Sequence, residues 1–357
     1  CVVVGAGGDK VCQMLPRHCH TALQAQRLGT GHAVMCARDF IEQNCEAEVL
    51  ILYGDAPFID AGIIDAAYRQ HTAAGSDVTV ITALVENPDG YGRIIRQGDA
   101  LLAIVEQRDA TPEQQEIKEI NSGAYWFKAQ ALLKALETIG CSNSQGEYYL
   151  TDAVAAVRSA GGKAAACLCA EEESVLGAND RKGLAQLNEV ARRRVLEALM
   201  EQGVDIPFDD GVVIDARAAI GADTTILPGS IIMGSTVIGG GCTIGPGTVI
   251  EDSTLGEGCI IRDSYITGSV LEQEVKIGPY SQVRPGSHLE RGVKIGNFVE
   301  IKNSNLGQGT KSGHLTYIGD ADIGARVNFG CGVVVVNYDG CAKHRTVVGD
   351  DAFIGCN

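Results

Sequence analysis

The stretch IGADTTILPGSIIMGSTVIGGGCTIGPGTVI (residues 220–250) carries an isoleucine at every sixth position. An α-helix repeats about every 3.6 residues and a single strand every 2, so neither produces a period of six. Three flat faces joined by turns do produce it, with one inward aliphatic side chain on each face. The period therefore predicts a left-handed parallel β-helix with coils of about eighteen residues. The repeated residues are Ile220, Ile226, Ile232, Ile238, Ile244 and Ile250.

The six-residue period continues towards the end of the chain. Glycine follows many of the repeated aliphatic residues, as expected where the backbone turns a corner. The segment NYDGCAKHRT (Asn337–Thr346) breaks the period and is predicted to project as a loop. We therefore assign residues 206–357 to the β-helix. The later repeated positions are Ile277, Val283, Leu289, Ile295, Ile301, Ile323, Phe329, Val335, Val348 and Ile354.

Residues 1–182 show a different pattern, in which strand-like and helix-like segments alternate. VLILYGD (residues 49–55) and DVTVITALV (residues 77–85) predict parallel strands, and GIIDAAYRQHTAAG (residues 62–75) predicts a helix between them. This order predicts a right-handed crossover unit of an α/β sheet. Residues 183–205 predict a linker helix, although the last helix of the first domain fits the same spacing.

Composition limits the classes of function. The chain has 357 residues, 45% of them hydrophobic, and a net charge of −16. Such a chain can bury a core, and its charge repels nucleic-acid phosphates, so we expect no nucleic-acid partner. No apolar run reaches the roughly 20 residues that cross a bilayer, so we expect no membrane association. The 13 cysteines match no disulfide or zinc spacing, which favours reduced, buried thiols in a cytoplasmic protein.

Several motifs in the first half suit nucleotide and sugar binding. The glycine–threonine turn of LGTGHA (residues 28–33) lets backbone amides approach an anion. Asp55 follows a buried strand, where it is either a Mg²⁺ ligand or a turn-forming aspartate. GYGRI, IVEQRDA and EINSG add a glycine turn, a carboxylate and an amide, which together suit sugar hydroxyls.

One histidine in the second half is a candidate general base. Histidine is the side chain that most readily takes up and releases a proton near neutral pH. His314 lies in KSGHLTYIGD, where the six-residue phase is interrupted, and functional residues often lie where a regular pattern is broken. A surface histidine without a role is the alternative interpretation.

Taken in order, LGTGHA, YGDAP, GYGRI, IVEQRDA, EINSG, QGEYYLTD and GAND, followed by hexapeptide repeats, resemble a known bacterial family over essentially the whole chain. This is the bifunctional N-acetylglucosamine-1-phosphate uridylyltransferase / glucosamine-1-phosphate N-acetyltransferase (GlmU type). The resemblance implies a Rossmann-like nucleotidyltransferase domain (residues 1–182), a linker helix (183–205) and an acetyltransferase β-helix (206–357). It also implies a cytoplasmic homotrimer with acetyl sites between subunits.

The activity implied by the resemblance is the synthesis of UDP-N-acetylglucosamine, a precursor of peptidoglycan and lipopolysaccharide. Acetyl-CoA would acetylate glucosamine 1-phosphate, and UTP would then react with N-acetylglucosamine 1-phosphate and release diphosphate, with Mg²⁺ bound. By motif, Asp55 and Asn179 would hold the metal. The nucleotide and sugar residues would be Gln24, Gly29, Thr30, Tyr53, Gly54, Gly92, Glu106, Asn121 and Tyr149.

In the β-helix the resemblance implies that His314 is the catalytic base. The backbone N–H of Cys331 and the side chain of Cys356 would lie beside acetyl-CoA, at positions where the family usually has alanine and serine. Direct attack by the amine needs no cysteine nucleophile. The residues that bind glucosamine 1-phosphate and line its site would be Arg284, Lys302, Tyr317, Asn328, Asn337, Tyr338 and Lys343.

The chain also departs from the family at both ends. The family's L-x-A-G-x-G-T-R-M loop with its downstream lysine does not occur, and GAGGDK (residues 5–10) is interpreted as an ordinary strand-to-helix turn. We therefore expect a fragment that is impaired in both reactions. Two alternatives remain open: a nucleotidyltransferase with one activity and a purely structural β-helix, and a non-enzymatic scaffold subunit.

Overall fold

The computed structural model describes residues 1–356 and divides the chain into two compact units, Cys1–Leu187 and Asn188–Asn357. The division falls within the helix Arg181–Glu201, which covers most of the predicted linker. None of the described helices is both long enough and apolar enough to cross a bilayer.

The first unit is an α/β unit that also contains a 3₁₀ turn, Glu172–Val175. Its strands are β1 (Val2–Gly5), β2 (Thr21–Gln24), β3 (Glu48–Ile51), β4 (Val78–Leu84), β5 (Arg93–Gln97), β6 (Ala100–Val105), β7 (Glu119–Lys128) and β8 (Ala164–Cys169). Its helices are α1 (Asp9–Met14), α2 (Thr30–Cys36), α3 (Arg38–Glu42), α4 (Ala61–Ala74), α5 (Pro112–Gln115), α6 (Ala129–Leu136) and α7 (Asp152–Ser159), and α8 (Arg181–Glu201) continues into the second unit.

The main sheet of this unit has the strand order β6-β5-β7-β4-β8, and β3 also pairs with β7. Both β3 and β4 run antiparallel to β7, which lies between them. The two predicted strands are therefore parallel to each other and joined through α4, and the long strand β7 lies between them in the sheet. That strand is distant in sequence from both, so the local pattern could not reveal it.

The helix predicted between those strands is confirmed as α4. The Asp60 side chain accepts a hydrogen bond from Ile63 N–H at 2.9 Å, which satisfies one free amide at the start of the helix. Gly75 ends it in the left-handed conformation, with φ of 60°. The turn after β1 leads into α1, so the strand-to-helix interpretation of GAGGDK is also confirmed.

The second unit is the β-helix. Ile220 pairs in parallel register with Ile238 on the next coil, and Ile226 pairs with Ile244. One sheet contains β10-β13-β16-β19-β22-β24-β26-β28, and a second wraps around the other faces. The left-handed parallel β-helix predicted from the six-residue period is confirmed.

The strands of this unit are short. They are β9 (Val213–Ile214), β10 (Ala219–Ile220), β11 (Thr225–Ile226), β12 (Ile231–Met233), β13 (Val237–Ile238), β14 (Thr243–Ile244), β15 (Val249–Glu251), β16 (Thr254–Leu255), β17 (Ile260–Ile261), β18 (Tyr265–Thr267), β19 (Val270–Leu271), β20 (Lys276–Ile277), β21 (Gln282–Val283), β22 (His288–Leu289), β23 (Lys294–Lys302), β24 (Asn305–Leu306), β25 (Lys311–Gly319), β26 (Ala321–Ile323), β27 (Asn328–Phe329), β28 (Thr346–Val348) and β29 (Phe353–Ile354).

The repeated aliphatic residues form the core of the β-helix. Ile226, Ile232 and Ile244 are completely buried, whereas Ile231 in the same strand as Ile232 points outward and is 36% exposed. Each inward side chain stacks on the corresponding one of the next coil, so their burial supplies most of the driving force for this fold. The loop Asn337–Thr346 projects as predicted, with a single bridge between Tyr338 and Lys343.

The expectation that the cysteines are buried is wrong for most of them. All thirteen lie in residues 1–356 and are free, but only Cys242 and Cys259 are buried, on adjacent coils. Seven are exposed. Sequence spacing could exclude a disulfide framework, but it could not show which thiols face solvent.

Candidate functional site

In the first unit, the turn of LGTGHA docks on the segment QGEYYLTD. Gly31 N–H donates to Tyr148 C=O, and Tyr148 N–H donates to Leu28 C=O, both at 2.8 Å. Gly29 has φ of 100°, and a Cβ there would lie 2.9 Å from Glu147 Cβ. The turn therefore requires glycine both for its conformation and for its close approach to this segment.

The side chains of Gln24 and Thr30 hold this turn in place. Gln24 Nε2 donates to Gly29 C=O at 3.0 Å, so the end of β2 fixes the turn. Thr30 Oγ1 accepts from Leu150 N–H at 3.1 Å and is also hydrogen-bonded to Tyr53. The structure thus brings together the residues that were assigned to the nucleotide, with Gly54 exposed beside Tyr53.

A tyrosine pair connects this turn with Asn121. Tyr53 bonds to Tyr125, whose hydroxyl accepts from Asn121 Nδ2 at 2.6 Å. Burial raises the pKa of Tyr53 to about 12 and also raises that of Tyr125, so both phenols are neutral donors at physiological pH. The chain of contacts joins the predicted nucleotide residues to a predicted sugar residue.

Glu106 lies at the end of β6 beside Gly92. Its Oε1 accepts from Thr151 Oγ1 at 3.0 Å, and burial raises its pKa. A Cβ on Gly92 would lie 3.0 Å from Ile104 Cγ2 and 3.5 Å from Glu106 Oε2, so the glycine backbone lies close to the carboxylate. Asn121 N–H donates to Gly92 C=O at 2.9 Å. The three predicted sugar residues therefore lie together.

A cavity of about 350 Å³ opens next to Glu106. Buried Tyr149 lines it, and its hydroxyl accepts from Gln145 Nε2 at 2.8 Å. Carboxylates and an amide share the lining with these residues. A polar cavity of this size suits a single sugar ring better than an apolar ligand. Its other polar lining residues are Asp109, Ser142, Asn143 and Asp152.

Asp55 and the GAND segment are in direct contact. Ala178 N–H donates to Asp55 C=O at 3.0 Å, and Gly177 N–H donates to Tyr91 O–H at 3.2 Å. Asp55 and Asn179 are both exposed, and the residue before Asn179 is hydrogen-bonded to Asp55. Within residues 1–356 no cluster of three or more His, Cys, Asp and Glu is found. One carboxylate and one amide oxygen suit Mg²⁺, which retains water and phosphate ligands.

In the second unit, His314 stands in β25 opposite Asn297 in β23. His314 Nδ1 and Asn297 Oδ1 are 2.9 Å apart. An amide oxygen only accepts, so this contact fits the tautomer that carries its proton on Nδ1 and leaves Nε2 free as an acceptor. The arrangement leaves an exposed, oriented base.

Three cations of the second unit lie together. Lys302 pairs with Asp320 at 3.3 Å, and Arg284 pairs with Glu300 at 2.8 Å. Lys343 contacts Lys302, and that neighbouring charge lowers the pKa of Lys343. A cluster whose cations disfavour one another is stabilised by an incoming anion.

The projecting loop is attached to this cluster by Asn337. Its Nδ2 donates to Tyr317 O–H at 3.2 Å and also contacts Asp320. Tyr338 points elsewhere, because its hydroxyl donates to Gly340 C=O at 2.7 Å. The hydroxyl of Tyr338 is therefore bonded within the loop and not to the cation cluster.

A groove of about 730 Å³ runs along the adjacent face and contains His314, Asn328 and Cys331. Lys276, Lys294 and Lys311 occupy corresponding positions on consecutive coils. No carboxylate is among the described residues that line it, although the chain as a whole is strongly acidic. Cys356 lies one coil beyond Cys331, at the same corner. The groove suits an anionic ligand.

Four residues of these sites were missed from the sequence. Tyr125 and Thr151 stand four and two residues after predicted site residues, and Tyr91 precedes Gly92. Asn297 lies 17 residues before His314, which is one coil of the β-helix. The coil length could have pointed to Asn297, because residues one coil apart are neighbours in space.

Family profiles match both halves of the chain. Residues 14–173 match the nucleotidyl transferase family, and residues 217–252 and 268–303 match the bacterial transferase hexapeptide repeats. Relatives also match this chain over its whole length. A protein named bifunctional protein GlmU from Acetivibrio thermocellus is 43% identical over 357 residues, which is 100% of this chain and 77% of that protein.

Two further relatives with that name agree. The protein from Caldicellulosiruptor saccharolyticus is 48% identical over 100% of this chain and 77% of its own length. The protein from Clostridium perfringens (strain SM101) is 46% identical over 100% of this chain and 78% of its own length. The chain belongs to the bifunctional GlmU family. The resemblance seen in the ordered motifs is therefore confirmed, and the two clusters described above lie one in each half of a GlmU-family chain.

Proposed function

We propose that this chain comes from a bifunctional GlmU-family transferase that makes UDP-N-acetylglucosamine in the bacterial cytoplasm; the expectation that the chain by itself is impaired in both reactions stays a prediction. It transfers acetyl from acetyl-CoA to glucosamine 1-phosphate, and it transfers uridylyl from UTP to N-acetylglucosamine 1-phosphate with release of diphosphate. One observation carries the proposal: a single chain that matches bifunctional GlmU proteins over its whole length holds a sugar-sized cavity with carboxylates in its lining in one unit, and an oriented histidine and a cluster of three cations in the other.

The first unit is assigned to uridylyl transfer. The turn at Gly29 and Thr30 holds the nucleotide, and Glu106 with Asn121 holds the acetylated sugar. Asp55 and Asn179 hold Mg²⁺, which when bound offsets negative charge on the phosphates. The side chains orient the sugar phosphate for in-line attack on the α-phosphorus of UTP.

The second unit is assigned to acetyl transfer. His314 Nε2 removes a proton from the amine of glucosamine 1-phosphate, while Asn297 holds the imidazole. The amine nitrogen attacks the thioester carbon, the carbon–sulfur bond breaks and coenzyme A leaves. Cys331 lines the same groove, and its backbone N–H is assigned to stabilisation of the oxyanion.

The cation cluster of Arg284, Lys302 and Lys343 is assigned to the phosphate of glucosamine 1-phosphate. A phosphate dianion offsets the repulsion between the two lysines. Tyr317 and Asn337 close the site on the side of the projecting loop, and Asn328 lies in the adjoining groove. The groove, with its column of lysines, is assigned to the anionic coenzyme.

We also propose that the chain forms a homotrimer through its second unit. Tyr280, Phe298 and Leu315 occupy the same corner on three consecutive coils, with φ of 57°, 58° and 44°. Large side chains rarely adopt this conformation, and here they present apolar surface that is 54–61% exposed. The column lies next to His314, so a second copy packed on it would border the acetyl site.

The test compares two variants with matched controls. Asp55→Ala should abolish binding of UDP-N-acetylglucosamine in the presence of Mg²⁺, measured by calorimetry, and Asp65→Ala should not. His314→Ala should lower the rate of coenzyme A release from acetyl-CoA and glucosamine 1-phosphate by about 100-fold or more. His288→Ala, in the same β-helix, should leave that rate unchanged.

The outcomes separate the alternatives. A His314→Ala chain that releases coenzyme A at the unchanged rate would favour a nucleotidyltransferase with a structural β-helix. A chain that binds neither ligand would favour a scaffold subunit.

A further inference from the structure

Two exposed cysteines occupy one corner of the β-helix on consecutive coils. Phe329 pairs in parallel register with Ile354, and Gly330 N–H donates to Ile354 C=O at 2.8 Å. Continued by two residues, this register places Cys331 opposite Cys356. Both thiols are free and exposed.

The backbones at this corner are in close contact. A Cβ placed on Gly330 would lie 2.7 Å from the amide nitrogen of Cys356, so the two coils touch directly before the cysteines. In-register residues of neighbouring strands are about 5 Å apart, which lies within the Cα separation of roughly 4.4–6.8 Å that a disulfide spans. The two thiols are therefore placed to react with each other.

The corner belongs to the groove of His314. Cys331 and His314 line that groove together, and the thioester of the coenzyme would approach there if the proposed acetyl transfer is correct. A covalent bond across this corner would change the wall against which the thioester lies. Small oxidants can reach the pair, because both residues are exposed.

We propose that Cys331 and Cys356 form a redox-sensitive dithiol that blocks the coenzyme groove when it is oxidised. Hydrogen peroxide supplies the oxidising equivalents: both S–H bonds and the O–O bond break, one S–S bond forms, and two molecules of water leave. A dithiol reductant reverses the step. The disulfide is independent of the proposed function, whereas the blocking of the coenzyme rests on it.

The chemical test is peptide mapping after treatment of the whole chain with hydrogen peroxide. Trypsin should release residues 327–343 joined to residues 346–357 through a disulfide. The first peptide also contains Cys341, which is exposed on the projecting loop, so Cys341→Ser serves as the matched control and should keep the link. Cys331→Ala and Cys356→Ser, which introduce the residues usual in the family, should each abolish it.

A second probe does not depend on the variants. Phenylarsine oxide binds two adjacent thiols at once. In the reduced native chain it should therefore protect both Cys331 and Cys356 from a later alkylating reagent. Oxidation should also weaken binding of acetyl-CoA about tenfold or more, with recovery after reduction.

Several results would overturn the proposal. One is that peroxide forms no disulfide between the two peptides although both thiols can still be alkylated. A second is that the disulfide-linked peptides persist in Cys331→Ala. A third is that the affinity for acetyl-CoA is unchanged after the disulfide has formed. A reduced chain that binds no acetyl-CoA would instead count against the proposed acetyl transfer, and the peptide link alone would then decide the dithiol.

Discussion

At the scale of single residues, His314 depends on a neighbour that is one coil away. Asn297 Oδ1 accepts a hydrogen bond from His314 Nδ1–H, which leaves Nε2 free to act as a base. Asn297→Ala should lower the rate constant of acetyl transfer by about tenfold, the worth of one hydrogen bond, with little change in the KM for glucosamine 1-phosphate.

Asn297→Asp gives the control for this role. It keeps the acceptor but adds a negative charge beside the imidazole, which should move the acidic limb of the pH–rate profile to higher pH. Equal losses of rate in both variants, with no change in the pH profile, would contradict the positioning role.

Glu106 illustrates how a binding residue lowers stability. Its pKa is raised by burial in the folded chain, so the folded state favours the neutral acid more than the unfolded state does. The resulting penalty is absent below the unfolded pKa of about 4.3, grows as the pH rises above it, and is complete above the folded pKa.

Glu106→Gln should therefore raise the melting temperature of the first unit at pH 7, by about 2–4 °C for each kcal/mol recovered, and should have no effect near pH 3. Thermal unfolding across this pH range measures the difference, with Glu116→Gln as an exposed control. An equal increase at both pH values would contradict the burial argument.

At the scale of elements, one strand contains its own control. Ile231 and Ile232 are adjacent in β12, but only Ile232 points into the core. Ile232→Ala should destabilise the β-helix by about 2–5 kcal/mol, since it removes buried contacts and leaves a cavity. Ile231→Ala should cost well under half of that in denaturant unfolding. Similar losses from both would mean that the six-residue pattern does not define the core.

The sequence predicted this element well because the β-helix is nearly one-dimensional. Each coil contacts the next, so a local period determines the fold, its inward residues and the loop at 337–346. The sheet of the first unit was predicted less well. The strand β7 pairs with β3 and β4 across many intervening residues, and no local pattern marks which strands become neighbours.

The sites show the same division. Ordered motifs identified Glu106, Asn121 and His314, but not the residues that hold them in place. Asn297 and Thr151 act through contacts between coils or between loops that only the folded chain makes. Exposure of the cysteines likewise depends on which side of a corner each one occupies.

At the scale of the whole molecule, the apolar column at the corner near His314 should mediate self-association. Phe298→Asn combined with Leu315→Asn removes apolar surface, and asparagine tolerates the left-handed backbone at both positions. Light scattering after gel filtration should show a trimer for the unchanged chain and a monomer for the variant. Val347→Asn, on another face, should remain trimeric.

A trimer that survives the double change would place the interface elsewhere. If the chain without substitutions is a monomer in this measurement, the proposed homotrimer is wrong. Circular dichroism of the variant should match that of the unchanged chain, which separates lost association from lost folding.

Calorimetric titration of the whole chain with UDP-N-acetylglucosamine and glucosamine 1-phosphate, in the presence of Mg²⁺, tests most directly whether each unit holds its own site. One molecule of each ligand should bind per chain without competition, and Lys302→Ala should remove only the binding of glucosamine 1-phosphate. Displacement of one ligand by the other, or loss of both in Lys302→Ala, would contradict the claim that each unit holds a transferase site of its own.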